Sequence, residues 1–269
     1  RLSTGLRINS AEDDAAGFEI AAQLESKIGG QQQASRNISD AKSMLSVAEG
    51  GLDTQLDILQ EMKGKVVQAS NDSLGSSERD AIQKELDELT SELNDIAKNT
   101  SFNGTNLLDG TVDGTSGSNN LTFQTGAGKG ESFTAEIGKT KADAIGSGNN
   151  SETIGDGSGN FEAQGSGNGL AKTDSSGNVK AISTIDDAID AVSSELSDLG
   201  ATQNRLSFKQ DNLETSTKNL NSAQSQIEDA DFAREQTKVA KLQVLQQTGT
   251  AQLAQANASG QSVLSLLGG

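Results

Sequence analysis

The chain contains no cysteine, histidine, proline, tryptophan or tyrosine among its 269 residues. Without histidine and cysteine it has no thiol nucleophile, no Ser-His-Asp triad and no zinc site built from imidazole or thiolate ligands. Its 21 basic residues stand against 38 acidic ones, for a formal net charge of −17. Nucleic acid binds clustered lysine and arginine, so this balance disfavours it. We therefore expect no enzyme activity, no cofactor, no metal and no nucleic-acid partner.

Large apolar residues are also scarce, since Leu, Ile, Val and Phe together supply 56 of the 269 residues. This lies near the ~20% below which a highly charged chain is expected to be disordered. No apolar run approaches the ~18 residues that a membrane span needs, so we expect no membrane partner. A single globular core of average composition is not expected either.

Apolar residues recur every seven positions near the N-terminus, at Ile38, Leu45, Leu52, Leu59 and Val66. Three of the five positions three further on are alanine (Ala41, Ala48 and Ala69), another is Met62, and Gln55 is the polar exception. This pattern predicts a coiled-coil-like helix that a partner helix approaches closely. After a break, Ser77-Glu-Arg-Asp80 resembles a capping box and predicts the start of a second amphipathic helix.

The C-terminal part carries the same period for longer. Its members are Ile185, Val192, Leu199, Leu206, Leu213, Leu220 and Ile227. One helix cannot bury such a stripe alone, so we expect the two flanks to pack against each other. The predicted fold is mainly α: a long antiparallel helical rod, a coiled-coil-like bundle of N- and C-terminal helices. A small β-hairpin region and a short variable insert complete it.

The middle of the chain is rich in glycine, with 17 of the 30 glycines between positions 101 and 180. Alternating apolar and polar residues at 121–124 and 133–137, around a glycine-rich loop, predict a β-hairpin. Residues beyond it show almost no periodicity. We divide the chain into N-terminal rod helices (1–100), the hairpin region (101–138), a variable surface insert (139–181), a C-terminal rod helix (182–237) and a final helix (238–269).

Several motifs in the flanks resemble those of bacterial flagellins. The first is Arg1-Leu-Ser-Thr-Gly-Leu-Arg-Ile-Asn-Ser-Ala-Glu-Asp-Asp-Ala-Ala-Gly17, and the second is Ser101-Phe-Asn-Gly104. At the C-terminal end Ile227-Glu-Asp-Ala-Asp-Phe-Ala233, Leu245-Gln-Gln-Thr-Gly-Thr250, Ala254-Gln-Ala-Asn257 and Val263-Leu-Ser-Leu-Leu-Gly268 continue the likeness. The resemblance covers roughly 1–138 and 182–269, in the correct order.

The resemblance implies a secreted, extracellular structural subunit that self-assembles into the bacterial flagellar filament for swimming motility. Flagellins leave the cell unfolded by flagellar type III export, with a chaperone on the C-terminal segment. The resemblance therefore implies an export chaperone, filament cap proteins and hook-junction proteins as partners besides the chain itself. The variable insert would lie on the outer surface of the filament.

The innermost layer of a flagellin filament pairs the two extreme terminal helices. The resemblance places eight residues of this chain in the C-terminal half of that filament-core interface: Val239, Leu242, Leu245, Leu253, Val263, Leu264, Leu266 and Leu267. The matching N-terminal arm, which precedes the Arg-Leu-Ser motif in flagellins, is absent from the sequence. We therefore expect the chain as given not to polymerise.

Flagellins of several bacteria are recognised by a vertebrate Toll-like receptor through their N-terminal helices. Of four positions that resemble the receptor contacts, Gln60 and Glu92 match the recognised pattern. Glu61 replaces an arginine and Lys65 replaces a leucine. A charge reversal and a charge in place of an interface leucine weaken a buried contact, so we expect weak or absent receptor activation.

Other functions remain open at this stage. A hook–filament junction protein shares both terminal patterns in diluted form, and an unrelated coiled-coil adhesin would share only the heptads. A flagellin that carries a metallopeptidase is excluded, because its His-Glu-x-x-His helix needs histidine.

Overall fold

The structure is mainly helical. This computed structural model describes residues 4–110, 118–145, 154–155, 161 and 180–267, without the side chains of 118–119, 180 and 257–267. In chain order the elements are α1 (Ala15–Ala69), α2 (Ser76–Asn99), β1 (Ser101–Phe102), β2 (Thr105–Asn106), β3 (Ser118–Gln124), β4 (Ser132–Gly138), α3 (Lys180–Glu228) and α4 (Phe232–Leu267). The predicted class, helical flanks around a small hairpin region, is confirmed.

The chain divides into two compact units. The larger unit is Gly30–Glu214, and the smaller one joins Arg1–Gly29 to Thr215–Gly269. Both boundaries fall inside a helix, α1 or α3. In α3 the seven-residue pattern continues across the boundary from Leu213 to Leu220, whereas in α1 the boundary falls at Gly29-Gly30, before the pattern starts at Ile38.

In the larger unit, α1 runs antiparallel to α3. Lys42 of α1 donates from Nζ to Ser207 Oγ over 3.0 Å. Further along α1, Lys63 Nζ lies 2.6 Å from Asp186 Oδ1. As the residue number increases along α1, the residue number of its contact on α3 decreases, so the two helices are antiparallel. Both contacts are at the partly exposed edge of the bundle, where an ion pair adds only about 0–1 kcal/mol, so the orientation depends on the apolar seam.

Ten of the heptad residues line the interior of the larger unit, each at most 9% exposed: Ile38, Leu45, Leu52, Leu59, Val66, Ile185, Val192, Leu199, Leu206 and Leu213. Burying one such side chain stabilises the fold by about 1.5–3 kcal/mol. Ala41 and Ala48, both fully buried, leave room for a neighbouring helix to approach. Leu220 and Ile227 belong to the smaller unit and are half-buried.

Gln55 is the one polar side chain on the N-terminal heptad track, and it is fully buried. Its Nε2 donates to the carbonyl oxygen of Leu93 on α2 (3.2 Å) and to that of Thr140 after β4 (3.3 Å). Its Oε1 has no hydrogen-bond partner among the described residues. The side chain thus ties α1 to two backbone segments by hydrogen bonds that a leucine could not make.

Helix α2 does not begin with the capping box that the sequence suggested. Its N-cap is Gly75, which provides no side-chain hydrogen bond. Ser77 already lies inside the first turn, and its Oγ contacts Glu78 instead of a backbone N–H. The backbone N–H of Arg79 donates to the carbonyl of Gly75. The predicted capping box was wrong because the helix begins at Ser76, one residue before Ser77, the cap residue of that box.

The predicted hairpin is present as β3 and β4, which pair antiparallel with Phe123 opposite Phe133. Phe133 is buried, and the guanidinium of Arg205 on α3 lies 4.7 Å from its ring centroid. A cation over an aromatic face stabilises such a contact by about 0.5–2 kcal/mol. The hairpin therefore packs on α3 by its aromatic face.

A carboxylate on α3 holds the far end of the same hairpin. The backbone N–H of Gly138 donates to Glu195 Oε1 over 2.8 Å. Burial raises the pKa of the Glu195 carboxyl above its ordinary value; the Gly138 hydrogen bond lowers it, and the charges of Asp198 and Glu136 raise it further. A Cβ at position 138 would lie 2.8 Å from Glu195 Oε2, so the carboxylate would have to shift to admit a side chain there.

Replacing Glu195 by glutamine is expected to raise the free energy of unfolding at neutral pH. The folded-state pKa of Glu195 lies above the unfolded-state value, so the native carboxylate costs stability at any pH above the folded pKa. That cost fades as the pH falls towards the unfolded value. Glutamine keeps an oxygen that accepts from Gly138 but removes the charge.

Urea unfolding at pH 7 and pH 4 measures this effect. The gain from Glu195→Gln is expected at pH 7 and should shrink at pH 4. Glu88→Gln, at an exposed position of α2, is the matched control and should show no such pH dependence. An equal gain at both pH values would contradict the assignment.

In the smaller unit, the N-terminal segment closes the end of α3. Arg7 donates its backbone N–H to the carbonyl of Glu228 (2.5 Å), and its Nη2 to that of Ile227 (2.8 Å). Ala230 N–H donates to the carbonyl of Gly5, whose φ is +73°. The two bonds from Arg7 satisfy carbonyl groups at the end of α3, and the helix dipole favours its positive charge there.

Most of the predicted insert, 139–181, lies outside the described residues, so its proposed form stays a prediction. The described ones are 139–145, 154–155, 161 and 180–181. Across the described part of the chain, no helix is both long and apolar enough to cross a membrane.

Candidate assembly and receptor surfaces

Helix α4 presents apolar side chains to the surface. Leu242 is 56% exposed, Leu245 55% and Leu253 67%, while Val239 is half-buried. At ~100° per residue these four positions fall within about 120° around the helix. They form a continuous stripe, which we call the α4 stripe.

Val244 is equally exposed, at 61%, but stands outside the α4 stripe. It is about 200° from Leu242 around the helix. Leu242 and Val244 are thus two exposed apolar side chains on opposite faces of one helix, and Val244 can serve as a control for Leu242.

The other four predicted core-interface residues, Val263, Leu264, Leu266 and Leu267, belong to α4, but their side chains lie outside the described set. The helix itself begins at Phe232, six residues before the boundary drawn from the sequence. Asp231 caps it: its Oδ1 accepts from Arg234 N–H over 3.1 Å. An aspartate at this position satisfies a free N–H of the first turn.

Further exposed apolar side chains lie elsewhere, and the sequence analysis did not single them out. They are Phe18 (42%), Ile20 (49%), Val47 (40%), Val67 (53%), Phe208 (74%) and Phe232 (56%). Phe208 follows the buried Leu206 by two positions, which turns it away from the seam. These residues lie outside the seven-residue positions, and this could have indicated from the sequence that their side chains are exposed.

The receptor-like positions lie on two helices. Gln60 and Glu61 are exposed on α1, and Glu92 is exposed on α2. Lys65 is partly buried and its Nζ lies 2.5 Å from Glu85 Oε2 on α2. The hydrogen bond to Glu85 raises the pKa of Lys65, and the charges of Glu85 and Glu61 add to this while burial opposes it.

Lys65 is therefore engaged within the chain, which the sequence could not indicate because Glu85 is on another helix. Among the described residues, no group of three or more acidic, histidine or cysteine side chains is arranged to hold a metal ion. The surfaces that remain are apolar or charged faces of helices, which suit binding to other proteins.

Two family models match the chain. One, described as the bacterial flagellin N-terminal helical region, matches residues 1–113, and the other, the bacterial flagellin C-terminal helical region, matches residues 182–267. The chain belongs to the bacterial flagellin family. The resemblance seen in the terminal motifs is thereby confirmed.

Relatives of this flagellin chain match almost all of it. The flagellar filament 33 kDa core protein of Treponema phagedenis is 38% identical over 99% of this chain and 90% of its own length. The flagellin of Bacillus subtilis is 39% identical with the same two coverages. A solved structure described as a flagellar hook-associated protein from Vibrio parahaemolyticus covers 81% of this chain and all of its own, with a TM-score of 0.62. At 18% identity it shows the fold alone.

Flagellins are structural proteins that self-assemble into the flagellar filament, an extracellular appendage of bacteria. This flagellin chain is accordingly a filament subunit, and the predicted function and location are confirmed. The comparisons do not favour a hook–filament junction protein or an unrelated adhesin. They do not identify the surfaces used in assembly, so those stay predictions.

Proposed function

We propose that subunits of this flagellin join through the α4 stripe. The observation that carries the proposal is the contrast between the buried seam of α1 and α3 and the exposed α4 stripe. The seam residues of α1 and α3 in the larger unit are buried within the chain, whereas Leu242, Leu245 and Leu253 are each more than half exposed. An apolar stripe on a secreted subunit needs a partner.

A contact between different faces of identical subunits repeats without closing and generates a helical filament. Placing a charge in the α4 stripe, as in Leu242→Asp, tests the proposal. Loss of filaments supports it, and normal filaments would mean that another surface carries the assembly.

We further propose that an export chaperone covers α4 before the subunit leaves the cell. The support is the same exposure, because an apolar stripe left open in the cytoplasm favours aggregation. Filament cap and hook-junction proteins would meet this stripe at the two ends of the filament. Residues 139–181, glycine-rich and without apolar periodicity, would face outward.

Receptor recognition is proposed to be weak. In this flagellin, Glu61 presents a negative charge beside the ion pair of Lys65 with Glu85. A receptor surface complementary to an arginine and a leucine at 61 and 65 would meet a like charge at Glu61 and a charged side chain in place of the leucine at Lys65. Each mismatch can cost a few kcal/mol.

The double variant Glu61→Arg with Lys65→Leu is therefore expected to activate the Toll-like receptor more strongly than the natural chain. A gain of about tenfold or more in potency corresponds to 1.4 kcal/mol or more. Reporter cells measure it, with Lys84→Leu, at an exposed position of α2, as the control. Activation by the natural chain at nanomolar concentration, comparable with that by a recognised flagellin, would contradict the proposal.

A further inference from the structure

One face of α2 holds a backbone segment of the insert through side chains. Gln83 donates from Nε2 to the carbonyl oxygen of Phe161 over 3.1 Å, and the N–H of Phe161 donates to Asp87 Oδ1 over 3.0 Å. Gln83 Nε2 also donates to Asp87 Oδ1, over 3.0 Å. One donor and one acceptor, four residues apart on the helix, thus satisfy both backbone groups of one residue.

This arrangement copies the pairing of two β-strands, in which facing residues exchange both backbone hydrogen bonds. Here, however, the partner strand is replaced by two helix side chains, which we call the α2 clasp (Gln83 and Asp87). Since an N–H and a C=O occur in every residue except proline, which lacks the N–H, the clasp recognises backbone and not side chain. Asp87 accepts as a carboxylate, which strengthens the bond.

The side chain of Phe161 supplies the second part of the contact. It is 4% exposed and belongs to the same buried apolar cluster as Ile82 and Leu86 of α2. Burying one aromatic ring contributes about as much as any single core residue. The segment is thus held by a ring and by two backbone groups.

Gly155, another residue of the insert, also holds the segment around Phe161 in place. Gly155 forms an antiparallel bridge with Phe161, and its N–H donates to the carbonyl of Ala142 over 3.1 Å. Ile154 beside it is fully buried. Among the described residues of the insert, Ile154, Gly155 and Phe161 contribute backbone groups and buried apolar side chains to these contacts.

We infer that the α2 clasp is a binding site for an extended backbone that carries one aromatic side chain, and that the insert occupies it as an intramolecular ligand. The position of the insert then depends on Phe161 and the clasp, while the sequence around Phe161 is free to vary. Proline at the bound position is excluded because the clasp needs an N–H.

Amide hydrogen exchange at Phe161 in the full chain tests this inference. Exchange is slow when the N–H is bonded and buried, so Asp87→Ala, Gln83→Ala and Phe161→Ala variants address each contact. We expect at least about tenfold faster exchange of the amide at position 161 in each. Asp87→Asn keeps an acceptor oxygen and is expected to retain most of the protection. Glu88→Ala, at an exposed position of α2, is the matched control.

A scrambled insert makes the decisive comparison. Residues 156–160 and 162–170 are shuffled while Phe161 stays in place, and its amide is expected to remain protected. Loss of protection in the scrambled chain would overturn the inference, because neighbouring side chains would then carry the contact. Free exchange at Phe161 in the natural chain would overturn it as well.

Two further readouts keep the test unambiguous. Protection of the Leu93 amide in α2 reports whether a variant has folded, so a general loss of structure is separated from release of the clasp. The mass of the natural chain in solution distinguishes an intramolecular ligand from one donated by a second copy. A monomer with a protected Phe161 supports the inference, and protection that appears only in a dimer contradicts it.

Discussion

Cells that express the Leu242→Asp flagellin in place of the natural one are expected to lose their filaments, whereas Val244→Asp is expected to leave filaments of near-normal length. Both residues are exposed apolar side chains of α4, at 56% and 61%, so the two substitutions change the polarity of the surface alike, and their helix propensities differ by less than about 0.7 kcal/mol. Only Leu242 belongs to the α4 stripe. A charge buried without a partner costs several kcal/mol, and every subunit contact in a filament repeats the cost.

Electron microscopy of the cells and swimming in soft agar measure this result. Subunit in the medium, detected by immunoblot, separates failed assembly from failed export, since an export defect removes secreted protein as well. Leu253→Asp should reproduce the loss. Equal loss from Val244→Asp would show that the whole circumference of α4 is buried and would contradict the assignment to one face.

The second large effect is expected from two adjacent glycines of α1. Gly51→Ala should destabilise the larger unit, while Gly50→Ala should stabilise it. Either change gains up to about 1 kcal/mol of helix propensity. A Cβ at Gly50 meets nothing within 4 Å, but one at Gly51 would lie 2.7 Å from Thr100 Oγ1 and 2.8 Å from Leu108 Cδ1.

Thr100 cannot easily move away. Its Oγ1 donates to the carbonyl of Ile96 over 2.7 Å, and its Cγ2 would lie 2.9 Å from the new Cβ, so both branches of the side chain are in contact. Overpacking of this kind costs about 1–3 kcal/mol, which exceeds the gain in propensity. Gly51→Val would add further contacts and a larger loss.

Urea unfolding of both variants, followed by circular dichroism, provides the measurement. The midpoint should rise for Gly50→Ala and fall for Gly51→Ala. A fall for both would mean that backbone conformation and not packing governs these positions. A rise for both would mean that Leu108 and Thr100 rearrange freely, contrary to the close packing described above.

Much of the helical architecture was predictable because a period of seven is a local property of the chain. Every seam residue from Ile38 to Leu213 falls in α1 or α3, and the hairpin followed from alternation in β3 and β4. The start of α2 was not predictable in the same way. Gly75 takes the cap position without a side-chain bond, and a polar motif two residues later gave a false signal.

The candidate sites were predictable to a smaller extent. The resemblance to flagellins pointed to the residues of the α4 stripe, but their exposure required the structure, since the heptad residues of α3 in the larger unit are buried. The contacts of Lys65 with Glu85 and of Asp87 with Phe161 join residues that are far apart in sequence. The periodicity of the sequence does not predict such contacts, because each one joins two segments that come together only in the folded chain.

By itself, the sequence determined that this protein is mainly helical, that it lacks the residues for most catalysis, and that its terminal motifs place it with the flagellins. The reason is that the helical period depends only on residues that are near each other in the sequence, and the chemistry of a side chain depends only on its residue type. Only the tertiary structure decided which apolar stripes are buried inside the chain and which stay exposed for contacts with other subunits. Burial depends on what lies opposite a side chain, and that is set by the packing of distant segments: Leu52 is fully buried in the seam, while Leu253, in an equally regular helix, is 67% exposed.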